Sequence, residues 1–143
     1  MDIIDIIDMM DTMDTMDTMD LLTACRHDYT KKAKTLILSN ANLNLRDKKY
    51  GWTALMWACR WNNAILIEML IDKGANLDLQ DKDGWSALIQ ACMNNNDIEL
   101  AKLLINKKAN LDLQNKDGHT TLLYACRFDN TEIVSYLLEY IKN

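Results

Sequence analysis

Apolar residues recur along this chain in short bursts, and the bursts themselves recur. In Thr53-Ala54-Leu55-Met56-Trp57-Ala58-Cys59, Leu55 and Ala58 lie three residues apart, the spacing of one side of a short helix, and Thr53 stands ahead of it as an N-cap. A second apolar burst, Met69-Leu70-Ile71, predicts a helix over 64–73 closed by Gly74, a residue free to take the left-handed conformation that ends helices. The polar run Asn76-Leu77-Asp78-Leu79-Gln80-Asp81-Lys82-Asp83-Gly84 then predicts a tight, hairpin-like turn.

The same three-part unit returns. Gly51-Trp52-Thr53-Ala54-Leu55-Met56-Trp57-Ala58-Cys59 aligns with Gly84-Trp85-Ser86-Ala87-Leu88-Ile89-Gln90-Ala91-Cys92 and Gly118-His119-Thr120-Thr121-Leu122-Leu123-Tyr124-Ala125-Cys126. Leu21-Leu22-Thr23-Ala24-Cys25 is a shorter fourth copy, and the cysteines step by 34, 33 and 34 residues. Ala41-Asn42-Leu43-Asn44-Leu45 returns as Ala75-Asn76-Leu77-Asp78-Leu79 and Ala109-Asn110-Leu111-Asp112-Leu113. A fixed period in this range marks a stacked-repeat architecture, because one such unit cannot bury both faces alone and a series shares one core.

The period, the Gly-x-Thr-x-Leu-x-x-Ala box, the Gly-Ala-Asn-Leu-Asp turn and the Asp-Lys-Asp-Gly hairpin resemble the ankyrin repeat. The resemblance implies an all-α solenoid of stacked helix pairs joined by hairpin-like turns, with a concave groove as its binding surface. Four repeats are expected, at about 18–45, 46–79, 80–113 and 114–143, behind an Asp-rich leader over 1–17. The Asn/Asp/Lys/Ile-rich wording is similar to that of ankyrin proteins encoded by large DNA viruses.

The chain also departs from the family. The helix-opening Thr-Pro-Leu-His becomes Thr-Ala-Leu-Met at 53–56, Ser-Ala-Leu-Ile at 86–89 and Thr-Thr-Leu-Leu at 120–123. Apolar packing thereby replaces a pre-set backbone angle and a hydrogen-bonding side chain. Asn40 and Lys108 stand where Gly74 closes the second unit, and extra residues occur near Tyr50 and within Asn94-Asn95-Asn96.

Charge is unevenly placed. The formal charge is −5, yet residues 1–20 hold seven aspartates and no base, so 21–143 hold 16 bases against 14 acids. Aspartate falls at every third position from Asp2 to Asp20, leaving Ile3, Ile4, Ile6, Ile7, Met9 and Met10 between; this reads as a short capping helix or as a disordered tail. Its charge makes it a candidate pseudo-ligand for a row of Arg26, Arg60 and Arg127. No apolar run spans a bilayer and no basic, cleavable leader opens the chain, so a cytoplasmic or nuclear protein is expected.

Candidate chemistry reduces to binding. Each of the four cysteines holds a register position usual for a small buried residue, with no Cys-x-x-Cys spacing, so all four are expected reduced and in the core. His27 and His119 lie in different repeats, the four glycines are scattered, and no metal motif is present. Neither an enzyme nor a cofactor is expected. At the positions the ankyrin fold uses for partners, the chain has Trp52, Trp85 and His119 after the repeat glycine, and Arg26, Arg60, Trp61, Arg127 and Phe128 after the Ala-Cys pair. Lys48, Tyr50 and Lys82 join them from the hairpins. Trp and Arg dominate binding hot spots, although Trp52 and Trp85 could equally fold over the neighbouring repeat as cover; Trp57 and Tyr124 read as packing. A protein partner with acidic and apolar features is the expected ligand, with no membrane and no small-molecule substrate. Single-stranded nucleic acid, which stacks on aromatics among basic residues, and self-assembly through the end repeats are the alternatives.

Overall fold

The computed structural model describes residues 19–93 and 98–143. The leader and Asn94-Asn95-Asn96 lie outside them. Among the described residues, eight helices follow one another as four antiparallel pairs: α1 (Leu21–Arg26) with α2 (Thr30–Leu38), α3 (Ala54–Arg60) with α4 (Ala64–Asp72), α5 (Ala87–Met93) with α6 (Ile98–Asn106), and α7 (Thr121–Arg127) with α8 (Thr131–Lys142). The first helices stack as α1, α3, α5, α7; α2 packs on α4 and α6 on α8.

The predicted caps are in place. Thr53 accepts from the Met56 amide, Ser86 from Ile89 at 3.3 Å and Thr120 from Leu123. Asp20 plays the same part for α1, accepting from the Thr23 amide at 2.8 Å. Each cap satisfies a backbone donor left over at a helix start. The second helices are opened by Asn63 and Asn130, which accept from Leu66 and Ile133. Ahead of these lie Asn62 (φ 52°) and Asp129 (φ 59°), with Asp28 (φ 56°) ahead of α2. Asn and Asp tolerate this left-handed region better than other residues, so a short polar residue turns the chain here without glycine. Gly74 ends α4 at φ 89°, and its counterparts Asn40 and Lys108 adopt φ 63° and 71°.

The pairs share one core. Leu55, Leu66, Leu70, Leu88, Leu104 and Leu137 are all fully buried, as are Trp57 and Tyr124 nearly so. Polar ladders run alongside it. Asn44 Oδ1 accepts from the Asn76 amide and Asp78 Oδ1 from Asn110, both at 2.8 Å, which explains the returning Ala-Asn-Leu-Asn/Asp motif. Hairpins are tied to each other as well: the Lys82 amide donates to Tyr50 O at 3.0 Å and Lys116 to Asp83 O at 2.9 Å. The extra residue of the first hairpin widens it, so Gly51 N donates to Asp47 O four residues back, whereas Gly84 and Gly118 reach back three.

One expectation is corrected. Cys25, Cys59 and Cys92 are buried, but Cys126 is exposed. Its register position faces the following pair, and no pair covers α7 and α8 in this structure. Leu123 shows the same effect: it is 52% exposed, while its counterparts Met56 and Ile89 are 1% and 0%. Leu138 and Ile141 complete this open apolar end. A second irregularity lies on the opposite side, where a cleft of ≈ 360 Å³ opens between α4 and α6, floored by Ile67 and Leu100.

Candidate protein-binding surface

The hairpins and the first helices meet along one line, organised by Asp47, Asp81 and Asn115 at equivalent positions. Each folds its own hairpin by accepting two backbone amides on Oδ1: Tyr50 and Gly51 on Asp47, Asp83 and Trp85 on Asp81, Asp117 and His119 on Asn115. The second carboxylate oxygen is used differently. Asp47 Oδ2 accepts the Trp57 indole N–H at 3.0 Å. Asp81 Oδ2 accepts the indole of Trp52, from the preceding pair, at 3.1 Å, and the Gln90 amide at 3.4 Å. In Asn115 the corresponding atom is Nδ2, a donor, and it is buried with no hydrogen-bond partner.

Trp52 is half-buried, its ring tilted against that of Trp57 with centroids 4.5 Å apart, and its N–H is spent on the next pair, so it joins two units. Trp85 is half-buried too, edge-on to Tyr124 at 5.1 Å. Trp61 differs. It is 47% exposed and anchored only at its edge, where the indole donates to Arg26 O at 3.0 Å. Phe128 is 53% exposed against Tyr124.

The charged residues divide likewise. Arg26 lies over the Trp57 ring at 5.8 Å, and Arg127 lies over Phe128 while contacting His119 Nε2 at 3.2 Å. The Lys82 ammonium donates to Lys48 O in the neighbouring hairpin, and Lys49 sits over Tyr50 at 4.9 Å. Arg60 is exposed and makes no hydrogen bond or ion pair with any described residue.

Between the second and third pairs these side chains enclose a hollow with two lobes. Trp52, Gln90 and Met93 form the wall common to both. The hairpin lobe, ≈ 390 Å³, adds Tyr50, Lys82 and Trp85; the helix lobe, ≈ 350 Å³, adds Arg60. The structure thus brings Tyr50, Trp52, Arg60, Lys82 and Trp85 together. Lys48 meets them through its carbonyl. Trp61 with Arg26, and His119 with Arg127 and Phe128, form separate clusters on either side. Sequence reasoning missed Gln90 and Asp81. Gln90 occupies the register of Trp57 and Tyr124, where a lone amide among aromatics was the available signal.

Burial pushes the Cys59 and Cys92 thiols up to about 12, and Cys25 likewise, with Asp28 and Asp20 adding to the shift. Such thiols stay protonated and unreactive. Among the described residues there is no cluster of three or more metal-ligating side chains, and no helix long and apolar enough to cross a membrane.

Helix pairs joined by hairpins and stacked at a fixed period define a helical repeat protein. The family model for ankyrin repeats (three copies) matches residues 21–108 and again 62–143, and the chain belongs to that family. Comparison with curated proteins finds no match. Ankyrin repeats are generally protein–protein interaction modules and typically non-enzymatic.

Proposed function

We propose that this chain is a non-enzymatic adaptor, scaffold or competitive inhibitor of four ankyrin repeats. It would bind a protein partner with acidic and apolar features through the concave surface of its hairpins and first helices. The observation that carries this reading is the two-lobed hollow between the second and third pairs, in which Tyr50, Trp52 and Trp85 and the exposed Arg60 guanidinium share one surface, with the half-exposed Trp61 ring in the cluster beside it. Exposed aromatics beside arginine are the residue types that dominate binding energy.

The test is an alanine scan against a partner captured with the full chain. Trp61→Ala and Arg60→Ala should each weaken binding by about 2 kcal/mol or more at the hottest position, with stability changed by less than about 1 kcal/mol. Trp52→Ala is a poorer probe, since losing its bond to Asp81 also loosens the stack. Binding that survives substitution of Arg60, Trp61 and Phe128 together would move the functional surface elsewhere. The C-terminal helix α8, around Tyr136, Tyr140 and Ile141, is then the next candidate.

A further inference from the structure

Three of the four tryptophans donate their indole N–H within the fold: Trp52 to Asp81, Trp57 to Asp47 and Trp61 to Arg26 O. Trp85 is the exception, making no such bond with any described residue. The reason lies in the next hairpin. Where Trp52 meets the carboxylate of Asp81, the equivalent residue for Trp85 is Asn115. Its Oδ1 is spent on the Asp117 and His119 amides, and its other terminus, Nδ2, is itself a donor, buried and without a partner. The Trp85 N–H is not buried, so an acceptor from outside can reach it.

Other donors belong to the same cluster. Tyr124 lies edge-on to Trp85, and its hydroxyl makes no hydrogen bond with any described residue. Burial, and then Cys92, raises the pKa of that hydroxyl while Arg127 opposes the rise, so the guanidinium stands near it. Arg127 also contacts His119 Nε2 at 3.2 Å, and His119 O accepts from the Asn115 amide at 3.0 Å, which closes the ring of contacts. Charge alone does not draw a ligand here, since Lys116 and Arg127 are matched by Asp83, Asp117 and Asp129. Selection comes from the donors. A carboxylate can accept from an indole and a guanidinium together, as Asp81 Oδ2 accepts from an indole and an amide.

We propose that this cluster, at the junction of the third and fourth pairs, binds an Asp or Glu side chain of a protein partner, whose carboxylate stands to Trp85 as Asp81 stands to Trp52. This rests on the reading of the hairpin and first-helix line as the partner-binding surface, and it names where that partner's acidic residue docks. Phe128, 53% exposed and packed on Tyr124, offers the residues flanking that carboxylate an apolar contact.

The experiment uses the full chain and the tripeptide N-acetyl-Leu-Glu-Leu amide, titrated at constant ionic strength while the four indole N–H resonances are followed. The Trp85 proton should move downfield and saturate, with those of Trp52 and Trp57 unmoved. The Leu-Gln-Leu counterpart should bind about 3–10-fold more weakly, because a charged acceptor makes the stronger bond. Sodium acetate should move the same resonance with roughly tenfold lower affinity or less, since it lacks the apolar flanks. Asn115→Asp supplies the missing carboxylate from within, so its Trp85 resonance should start downfield and no longer respond. Arg127→Gln, an exposed change that keeps the test open if the first variant does not fold, should weaken binding by about threefold or more. No saturable shift, Trp52 and Trp85 moving together, an undiminished response in Asn115→Asp, or equal affinity for the Glu and Gln peptides overturns the proposal. Acetate binding as tightly as the tripeptide also overturns it, by assigning the site to a free anion. The alanine scan at Arg60 and Trp61 reads a different cluster and is decided separately.

Discussion

The indole N–H of Trp52 donates to Oδ2 of Asp81, one repeat further along the chain, at 3.1 Å. A single carboxylate thereby folds its own hairpin and holds the preceding unit, so local turn and stacking depend on the same side chain.

The next step of this ladder is broken, which gives two substitutions of opposite sign. Asn115 stands where Asp81 does, with its Nδ2 buried and without a partner, and Trp85 stands where Trp52 does. Asn115→Asp replaces that donor by an acceptor of the kind Asp81 offers to Trp52 one unit earlier, and its other oxygen keeps the Asp117 and His119 amides. It should stabilise the chain by about 0.5–1.5 kcal/mol in urea denaturation. Asp81→Asn sets an amide donor against the Trp52 and Gln90 N–H groups and should destabilise by about 1–3 kcal/mol. Equal signs for the two would refute the ladder.

Two glycines at one register position should respond unequally. Gly84 and Gly118 have φ 81° and 79°, so alanine strains either. A Cβ on Gly84 would also meet the Asn115 backbone at 2.8 Å, whereas one on Gly118 meets nothing within 4 Å. Gly118→Ala should cost about 1 kcal/mol. Gly84→Ala should cost clearly more, as thermal denaturation of the pair would show.

Thiol chemistry should separate Cys126 from the other three. A thiol reagent at neutral pH should modify Cys126 rapidly and Cys25, Cys59 and Cys92 only as the fold opens. The pH dependence follows from the same burial. The three buried thiols titrate at about 12 when folded, against 9.0 when free, so the unfolded chain loses these protons first. Their contribution is complete below about pH 9 and is lost as pH rises from 9 towards 12, by up to about 1.4 kcal/mol per pH unit for each thiol. Cys59→Ala should flatten that slope in urea titrations across the range.

Lys108 has φ 71° at the place where Gly74 has 89°. Lys108→Gly relieves backbone strain but gives up its contact with Tyr140, whose hydroxyl lies 3.3 Å from Nζ. The net effect should lie between neutral and a gain of about 1 kcal/mol. Leu104→Ala, fully buried, should cost about 2–5 kcal/mol by contrast. Chemical denaturation of both variants checks the register assigned to this unit.

The repeat period, the caps at Thr53, Ser86 and Thr120, the left-handed position shared by Gly74, Asn40 and Lys108, and the family itself were legible from the amino-acid order alone. They are local or periodic properties: a cap reads three residues, a helix face four, and a repeat only its own echo. What depended on a neighbour was not legible. Cys126 and Cys92 sit in the same motif, yet one is exposed and the other buried, because burial at that position is supplied by the following pair. Gly84 and Gly118 have the same dihedral and different surroundings for the same reason. Trp52 and Trp61 are both tryptophans on the predicted surface, but only the structure shows the first spent on Asp81 and the second tied to Arg26 O with about half of its surface exposed. Identical words in a repeat protein acquire different energies from the unit stacked beside them, and that unit is some 34 residues away in sequence.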